Sequence, residues 1–131
     1  MAQSITTMLM FEGAAEEAMR LYTSLFAESA ITTIERYGPG EPGAAGTVKL
    51  AEFTLAGRVF RAIDSPAKHN FTFTPSISIF VDCTDEAEQE AALAKLSEGG
   101  ATLMPLANYG FSRRFAWIAD RFGVSWQLNL P

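Results

Sequence analysis

The chain has 131 residues, 48% hydrophobic and 19% charged, with a formal net charge of −5. That is one domain's length with apolar residues enough for a packed core, which excludes a disordered or fibrous chain, and its acidity argues against nucleic acid or an anionic membrane as partner. No apolar run approaches a membrane span, Met1–Thr7 lacks the basic start and apolar core of a signal peptide, and the single Cys83 excludes an intramolecular disulfide or a multi-cysteine zinc site, so a cytoplasmic location is expected.

Ser4–Phe11 is a short β-prone run. After Gly13, Ala14–Phe26 places Ala18, Leu21, Tyr22, Leu25 and Phe26 at i, i+3, i+4, i+7 and i+8, the stripe of an amphipathic helix. Ala30–Tyr37 reads as a second strand. Gly38–Gly46 is a loop, because prolines at 39 and 42 exclude regular pairing. Its Gly38-Pro39-Gly40-Glu41-Pro42-Gly43 is literally G-x-G-x-x-G, but it leads into a strand and offers no helix N-terminus to a pyrophosphate. A strand connector is expected, with a lid over a neighbouring cavity as a secondary role. Thr47–Leu55 and Arg58–Ile63 are strands joined at Ala56-Gly57, which completes a β-α-β-β-β order.

Asp64–Pro75 is a polar connector holding the only histidine, His69, and then the order restarts. Ser76–Cys83 is a strand, and Asp85–Ser97 is a helix with Thr84 as N-cap and Gly99-Gly100 as its end. Ala101–Leu106, Arg114–Ala119 and Val124–Leu130 supply three more strands, the last two joined by the turn Asp120-Arg121-Phe122-Gly123. The fold class expected is therefore α+β: one domain over residues 1–131, with module one at about 4–64, a connector at 65–75 and module two at about 76–131. Each module lays its helix on one sheet face, and the two sheets are expected to pair edge to edge into a curved mixed sheet around a concave cavity.

Strand alternation selects the candidate site. Ser125, Gln127 and Asn129 alternate with Val124, Trp126, Leu128 and Leu130, and Ser76 and Ser78 alternate with Ile77, Ile79 and Val81. Of these, Ser76, Ser78, Gln127 and Asn129, with Thr6, would hold a small-molecule ligand on the concave face by hydrogen bonds inside an apolar wall. Arg113, beside Tyr109, Phe111 and Phe115, is a candidate anchor for a ligand's carboxylate or phosphate. Asp64 and Glu52 are candidates for acid/base work, each with a plainer reading as a turn starter and a solvated strand residue. Asp64 shares parity with Ala62, which would turn it toward the concave face. Trp117 and Trp126 read as packing residues, Cys83 as a small buried one, and Met8 and Met10 as core or pocket wall. With one histidine, in a linker, no Ser-His-Asp set is expected.

The stretches Met8–Phe26 (MLMFEGAAEEAMRLYTSLF), Leu55–Asp64 (LAGRVFRAID) and Phe115–Leu130 (FAWIADRFGVSWQLNL), with the strand Ser76–Asp82, resemble in order the vicinal oxygen chelate superfamily. That superfamily contains glyoxalase I, extradiol dioxygenases and the bleomycin- and fosfomycin-resistance proteins. The nearer resemblance is to its PhnB-like branch, labelled 3-demethylubiquinone-9 3-methyltransferase-like. The resemblance implies the double-module fold, a homodimer and a small-molecule ligand. Superfamily enzymes hold a divalent metal through His, Glu or Gln on the first and last strands of each module, positions matched here by Thr6 (or Thr7), Ala62, Ser76 and Gln127. Of these only Gln127 is a plausible ligand, so neither a metal nor another cofactor is expected. A metal-dependent lyase, isomerase or dioxygenase using Gln127 with Glu52 or Asp64 is the first alternative, and a non-catalytic interaction module with a filled cavity is the second. Methyl transfer from S-adenosylmethionine is not favoured, because no alternating β-α-β-α order is present.

Overall fold

The computed structural model describes residues 1–131, in two compact units, Met1–His69 and Asn70–Pro131. The first unit contains β1 (Thr7–Phe11), α1 (Ala15–Thr23), β2 (Ala30–Arg36), β3 (Val48–Leu55) and β4 (Arg58–Asp64). The second contains β5 (Ile79–Asp82), α2 (Glu86–Ser97), β6 (Ala101–Ala107), β7 (Arg114–Ala119) and β8 (Ser125–Leu130). Both follow the expected β-α-β-β-β order, and the α+β class holds. The ladders form two four-stranded mixed sheets, ordered β1-β4-β3-β2 and β5-β8-β7-β6. No helix is long and apolar enough to cross a membrane.

In the first unit, β1 runs parallel to β4, and β4 pairs antiparallel with β3 through the turn Ala56-Gly57. Both turn residues have positive φ, 49° and 80°, the primed hairpin geometry that matches strand twist. Cross-strand partners Leu9, Ala62 and Ala51, with Phe53 and Phe60 beside them, lie on one face and are buried with Ala15, Ala18, Met19 and Tyr22 of α1. Fully burying each large apolar side chain contributes roughly 1.5–3 kcal/mol. Leu25 and Phe26 extend the apolar stripe but not the helix. The Thr23 hydroxyl donates back to Met19 O and the Ser24 hydroxyl to Leu21 O, while Leu25 N–H makes only a three-residue bond to Tyr22 O. These short closures tighten and end the last turn.

The loop after β2 is tied down. Gly46 N–H donates to Tyr37 O, Gly38 N–H to Glu41 Oε1 at 2.7 Å, and Glu41 pairs with Lys49 at 2.5 Å. Gly43 lies under the Tyr37 ring, where an added Cβ would come within 2.3 Å. The loop is a fixed connector leading into a strand.

In the second unit, β5 runs parallel to β8, and β8 pairs antiparallel with β7. The connecting turn follows the sequence: Gly123 has φ 92°, and Asp120 Oδ1 accepts the N–H groups of Phe122 and Val124. Asp120 Oδ2 accepts the indole N–H of the fully buried Trp126 at 2.9 Å. The α2 cap lies one residue beyond the expected Thr84. Asp85 accepts Glu88 N–H, and Glu88 Oε1 accepts Thr84 N–H, a reciprocal box. Asp85 wins because its carboxylate reaches the first-turn donors and adds charge at the positive helix end. Ala116, Ile118, Trp126, Leu128 and Leu130 share the face under α2, where Gln89 Nε2 donates to the carbonyls of Arg114 and Leu128. β5 is shorter than expected. Ile77 N–H bonds to Thr74 O in a turn, so Ser76 and Ile77 leave the ladder before Ile79.

Candidate functional site

Face assignment separates the sequence candidates. Asp64 pairs with Phe11 across the parallel ladder, sits on the helix face and is 2% exposed, contrary to the expected open-face orientation. Its Oδ1 accepts Gly13 N–H at 2.7 Å and Ala15 N–H at 3.0 Å, and its Oδ2 accepts Val48 N–H at 2.8 Å. The carboxylate thus caps α1, whose own N-cap residue Ala14 has no side-chain acceptor. Three of its roughly four acceptor sites are thereby taken by backbone donors, the pattern of a structural cap. Ala62 is buried on the same helix face, so the open-face neighbours on β4 are Arg61 and Ile63. Glu52 lies on the open face directly opposite Arg61, and the two form an ion pair at 3.1 Å.

The second sheet's helix-free face gathers most of the remaining candidates. Gln127 lies opposite Trp117 and Phe80, and Asn129 opposite Phe115 and Asp82. Gln127 Nε2 donates to Ser78 Oγ at 3.1 Å, Ser78 Oγ stands 2.6 Å from Ser125 Oγ, and Trp117 Nε1 donates to Ser125 Oγ at 2.8 Å. Two hydroxyl hydrogens are present in this row and only one lies in the Ser78–Ser125 bond, so the other is left as a donor. The buried Asn129 Oδ1 has no partner, although Asn129 Nδ2 donates to Asp82 at 2.9 Å. The row therefore holds one acceptor and one donor not satisfied by protein.

Beside the row stand aromatic rings. Phe115 is 3% exposed and carries Phe111 edge-on at 4.9 Å, Tyr109 edge-on at 6.1 Å and Phe80 at 6.4 Å. Phe80 and Phe111 remain 53% and 63% exposed. Large rings clustered in water are costly unless something covers them. Arg113 is exposed and unpaired next to this cluster in the chain, whereas Arg114 is held on the helix side by Glu86 at 2.9 Å and Glu90 at 3.0 Å.

Two candidates lie elsewhere. Thr6 precedes β1 and is half-buried, and Ser76 is exposed in the turn with its hydroxyl 2.8 Å from that of Thr74. Sequence reading had passed over Ser125 as a site residue and Phe80 altogether. The parity of Ser125 with Gln127 was the available signal, whereas the role of Phe80 depends on the β5–β8 register.

Cys83 is 5% exposed at the end of β5. Burial, with the carboxylates of Glu88, Asp82 and Asp85 nearby, pushes its thiol up to about 11. Folded protein is expected to leave Ellman's reagent unreacted at pH 8 and to react stoichiometrically once denatured. Fast reaction of the folded chain would show that the thiol is accessible.

The positions that would hold a superfamily metal do not fit one. Ala62 has no donor atom and faces α1, Ser76 bonds to a neighbouring threonine, and the Gln127 amide is tied to Ser78. No three His, Cys, Asp or Glu side chains gather to coordinate an ion. Neutral amides and hydroxyls are poor replacements for imidazole or carboxylate around a divalent transition metal.

Comparison with known proteins adds to this geometry. A family model described as 3-demethylubiquinone-9 3-methyltransferase matches residues 3–129. The PhnB protein from Bacillus cereus is 55% identical, with TM-score 0.96 over 98% of this chain and 100% of that one. Protein PA1353 from Pseudomonas aeruginosa is 26% identical, with TM-score 0.83 over 98% of each chain. The fosfomycin resistance protein FosX from Listeria monocytogenes shares the fold at 10% identity, with TM-score 0.62 over 100% of this chain and 94% of that one. No curated protein matches.

Proposed function

The chain belongs to the PhnB-like family described as 3-demethylubiquinone-9 3-methyltransferase, and from that premise we propose that it binds a small molecule on the helix-free face of its second sheet. The single observation that carries this reading is the pairing of unsatisfied polar groups with exposed rings. Asn129 Oδ1 and one hydroxyl of the Ser78–Ser125 pair, in the same row as Gln127, lie beside Phe80 and Phe111. A ligand with an apolar body and hydrogen-bonding groups matches both features. Ser78, Gln127 and Asn129 are its polar contacts, Arg113 an anchor for any anionic group and Ser76 an outer contact. The family description names a methyl transfer. The α1 N-terminus is already filled by the Asp64 carboxylate, which speaks against seating a cofactor carboxylate or phosphate there. Without a fitting metal donor set, binding is the reading favoured over lyase, isomerase or dioxygenase chemistry. A homodimer and a cytoplasmic location belong to the same proposal.

The test is a broad small-molecule thermal-shift screen, followed by titration of any hit. Gln127→Ala and Phe111→Ala are each expected to weaken that hit about tenfold or more, close to 1.4 kcal/mol, without lowering the unliganded melting temperature by more than a few degrees. A hit that binds both variants as tightly as the parent would move the site elsewhere. Stoichiometric divalent metal in chelator-free protein, lost in Gln127→Ala, would overturn the metal-free reading in favour of the enzymatic one.

A further inference from the structure

Cross-strand register sorts the helix-free face of the second sheet into rows. Asp82, Asn129 and Phe115 lie side by side across β5, β8 and β7, and Phe80, Gln127 and Trp117 form the row beside them. The first row is rich in acceptors. Asn129 is 8% exposed, and its Nδ2 donates to Asp82 Oδ1 at 2.9 Å, so the unpartnered Oδ1 is turned away from Asp82. Asp82 is exposed, its second oxygen accepts no hydrogen bond, and no lysine or arginine pairs with it. Rings surround these acceptors: Phe115 stands next to Asn129, with Phe111 at 4.9 Å and Phe80 at 6.4 Å from it. Burial, then the carboxylates of Glu88, Asp82 and Asp85, hold the Cys83 thiol high, so this end of the sheet lies in a negative field.

Resting on the binding reading above, we propose that the ligand of this face is a primary amine with an aromatic body, bound as its ammonium. Asp82 and Asn129 Oδ1 offer acceptors only, and an ammonium brings three N–H donors and no acceptor. One donor satisfies Asn129 Oδ1, a second takes the open oxygen of Asp82, and the charge neutralises the carboxylate as the ring covers it. An alcohol brings a single donor, which leaves either the buried amide oxygen unpaired or the carboxylate covered without a countercharge. Both are costly. A carboxylate or phosphate head group would meet like charge at Asp82. The faces of Phe80, Phe111 and Phe115 draw a cation as well as an apolar ring. Phe80 and Phe111, 53% and 63% exposed, have room to turn aside and admit a head group to the Asn129 oxygen. The spare hydroxyl of the Ser78–Ser125 pair, two rows away, serves the far end of a longer ligand.

The probes are phenethylamine, phenethyl alcohol and hydrocinnamate at pH 7, which share an aromatic body and differ in head group. Amide chemical-shift titrations of isotope-labelled protein give both the affinity and the place of binding. Phenethylamine is expected to shift residues around Asp82, Asn129 and Phe115 and to bind about tenfold or more tightly than the other two. Asp82→Asn keeps an oxygen for the Asn129 amide and removes the charge, so it should erase most of that preference with the melting temperature held. Arg113→Ala should leave phenethylamine affinity unchanged or raise it, since a guanidinium can only repel the ammonium. Equal or tighter binding of the alcohol or the acid on this face would overturn the amine assignment and leave the binding face standing, as would a preference unaltered in Asp82→Asn. Saturable shifts confined to another surface would sink the face and the amine together, and no saturable shift from any probe would sink the amine assignment.

Discussion

Replacing Asp64 with alanine is expected to destabilise the protein by about 3–5 kcal/mol, more than any change at the ligand face. The side chain accepts three backbone N–H groups, two from the entry to α1 and one from the start of β3, and it is 2% exposed. Truncation leaves these donors with no acceptor in a site too buried for easy hydration, and each orphaned group costs roughly 1–3 kcal/mol. Part of this is recovered as the chain relaxes. The melting temperature should fall by roughly 10–20 °C for a chain of this size. Asp64→Asn separates shape from chemistry: one amide oxygen can serve the helix entry, but the NH₂ then faces Val48 N–H, donor against donor. Asparagine should therefore recover only part of the loss. Full stability of Asp64→Asn in a thermal melt would show that the carboxylate is dispensable and would reopen an acid/base role for Asp64.

The second large effect is expected at Gly100, where alanine should cost about 3 kcal/mol or more. A Cβ there would lie 2.1 Å from Ala119 O and 3.1 Å from the backbone of Asp120. Those atoms are main chain at the end of β7, opposite the first residue of β6, and cannot rotate aside. Relief requires β6 to peel from β7 or the Asp120 turn to shift, which strains the bond to the Trp126 indole. The neighbouring Gly99 supplies the control. Its φ of 70° makes alanine cost about 1–2 kcal/mol through backbone conformation, and its Cβ would meet only the flexible Arg121 side chain at 3.3 Å. Chemical denaturation of the two variants should rank Gly100→Ala well below Gly99→Ala. Equal losses would show that helix termination, rather than backbone crowding, dominates the pair.

The glycine pair also shows where sequence reading succeeds and where it stops. Gly99-Gly100 was legible as a helix end because local conformation has a local signature, and so were the Asp120–Gly123 turn, the turn at Ala56-Gly57 and the doubled β-α-β-β-β order. The reason for Gly100 was not legible, because the atom it avoids is nineteen residues away. The same limit explains Asp64. Parity with Ala62 was read correctly, but which of a strand's two faces meets the helix is decided by tertiary packing. Ser125, Gln127 and Asn129 could be grouped by alternation alone. Their connection to Ser78 and Phe80 depends on the β5–β8 register, which no residue pattern within either strand specifies.

The register breaks in the outermost strands bear on how copies of this chain can meet. In β2 the pairing slips between Ile31 and Thr33 and again between Glu35 and Arg36. In β6 it slips on both sides of Met104, and Pro105 removes an N–H from the same strand. Both long edges are thus bent and incompletely armed with donors, while the opposite edges, β1 and β5, run for only five and four residues. A straight foreign strand finds no continuous template on either sheet, so open-ended β-stacking and amyloid-like growth are disfavoured from the start. Any contact between copies of the native chain would then fall to side-chain surfaces rather than to strand pairing.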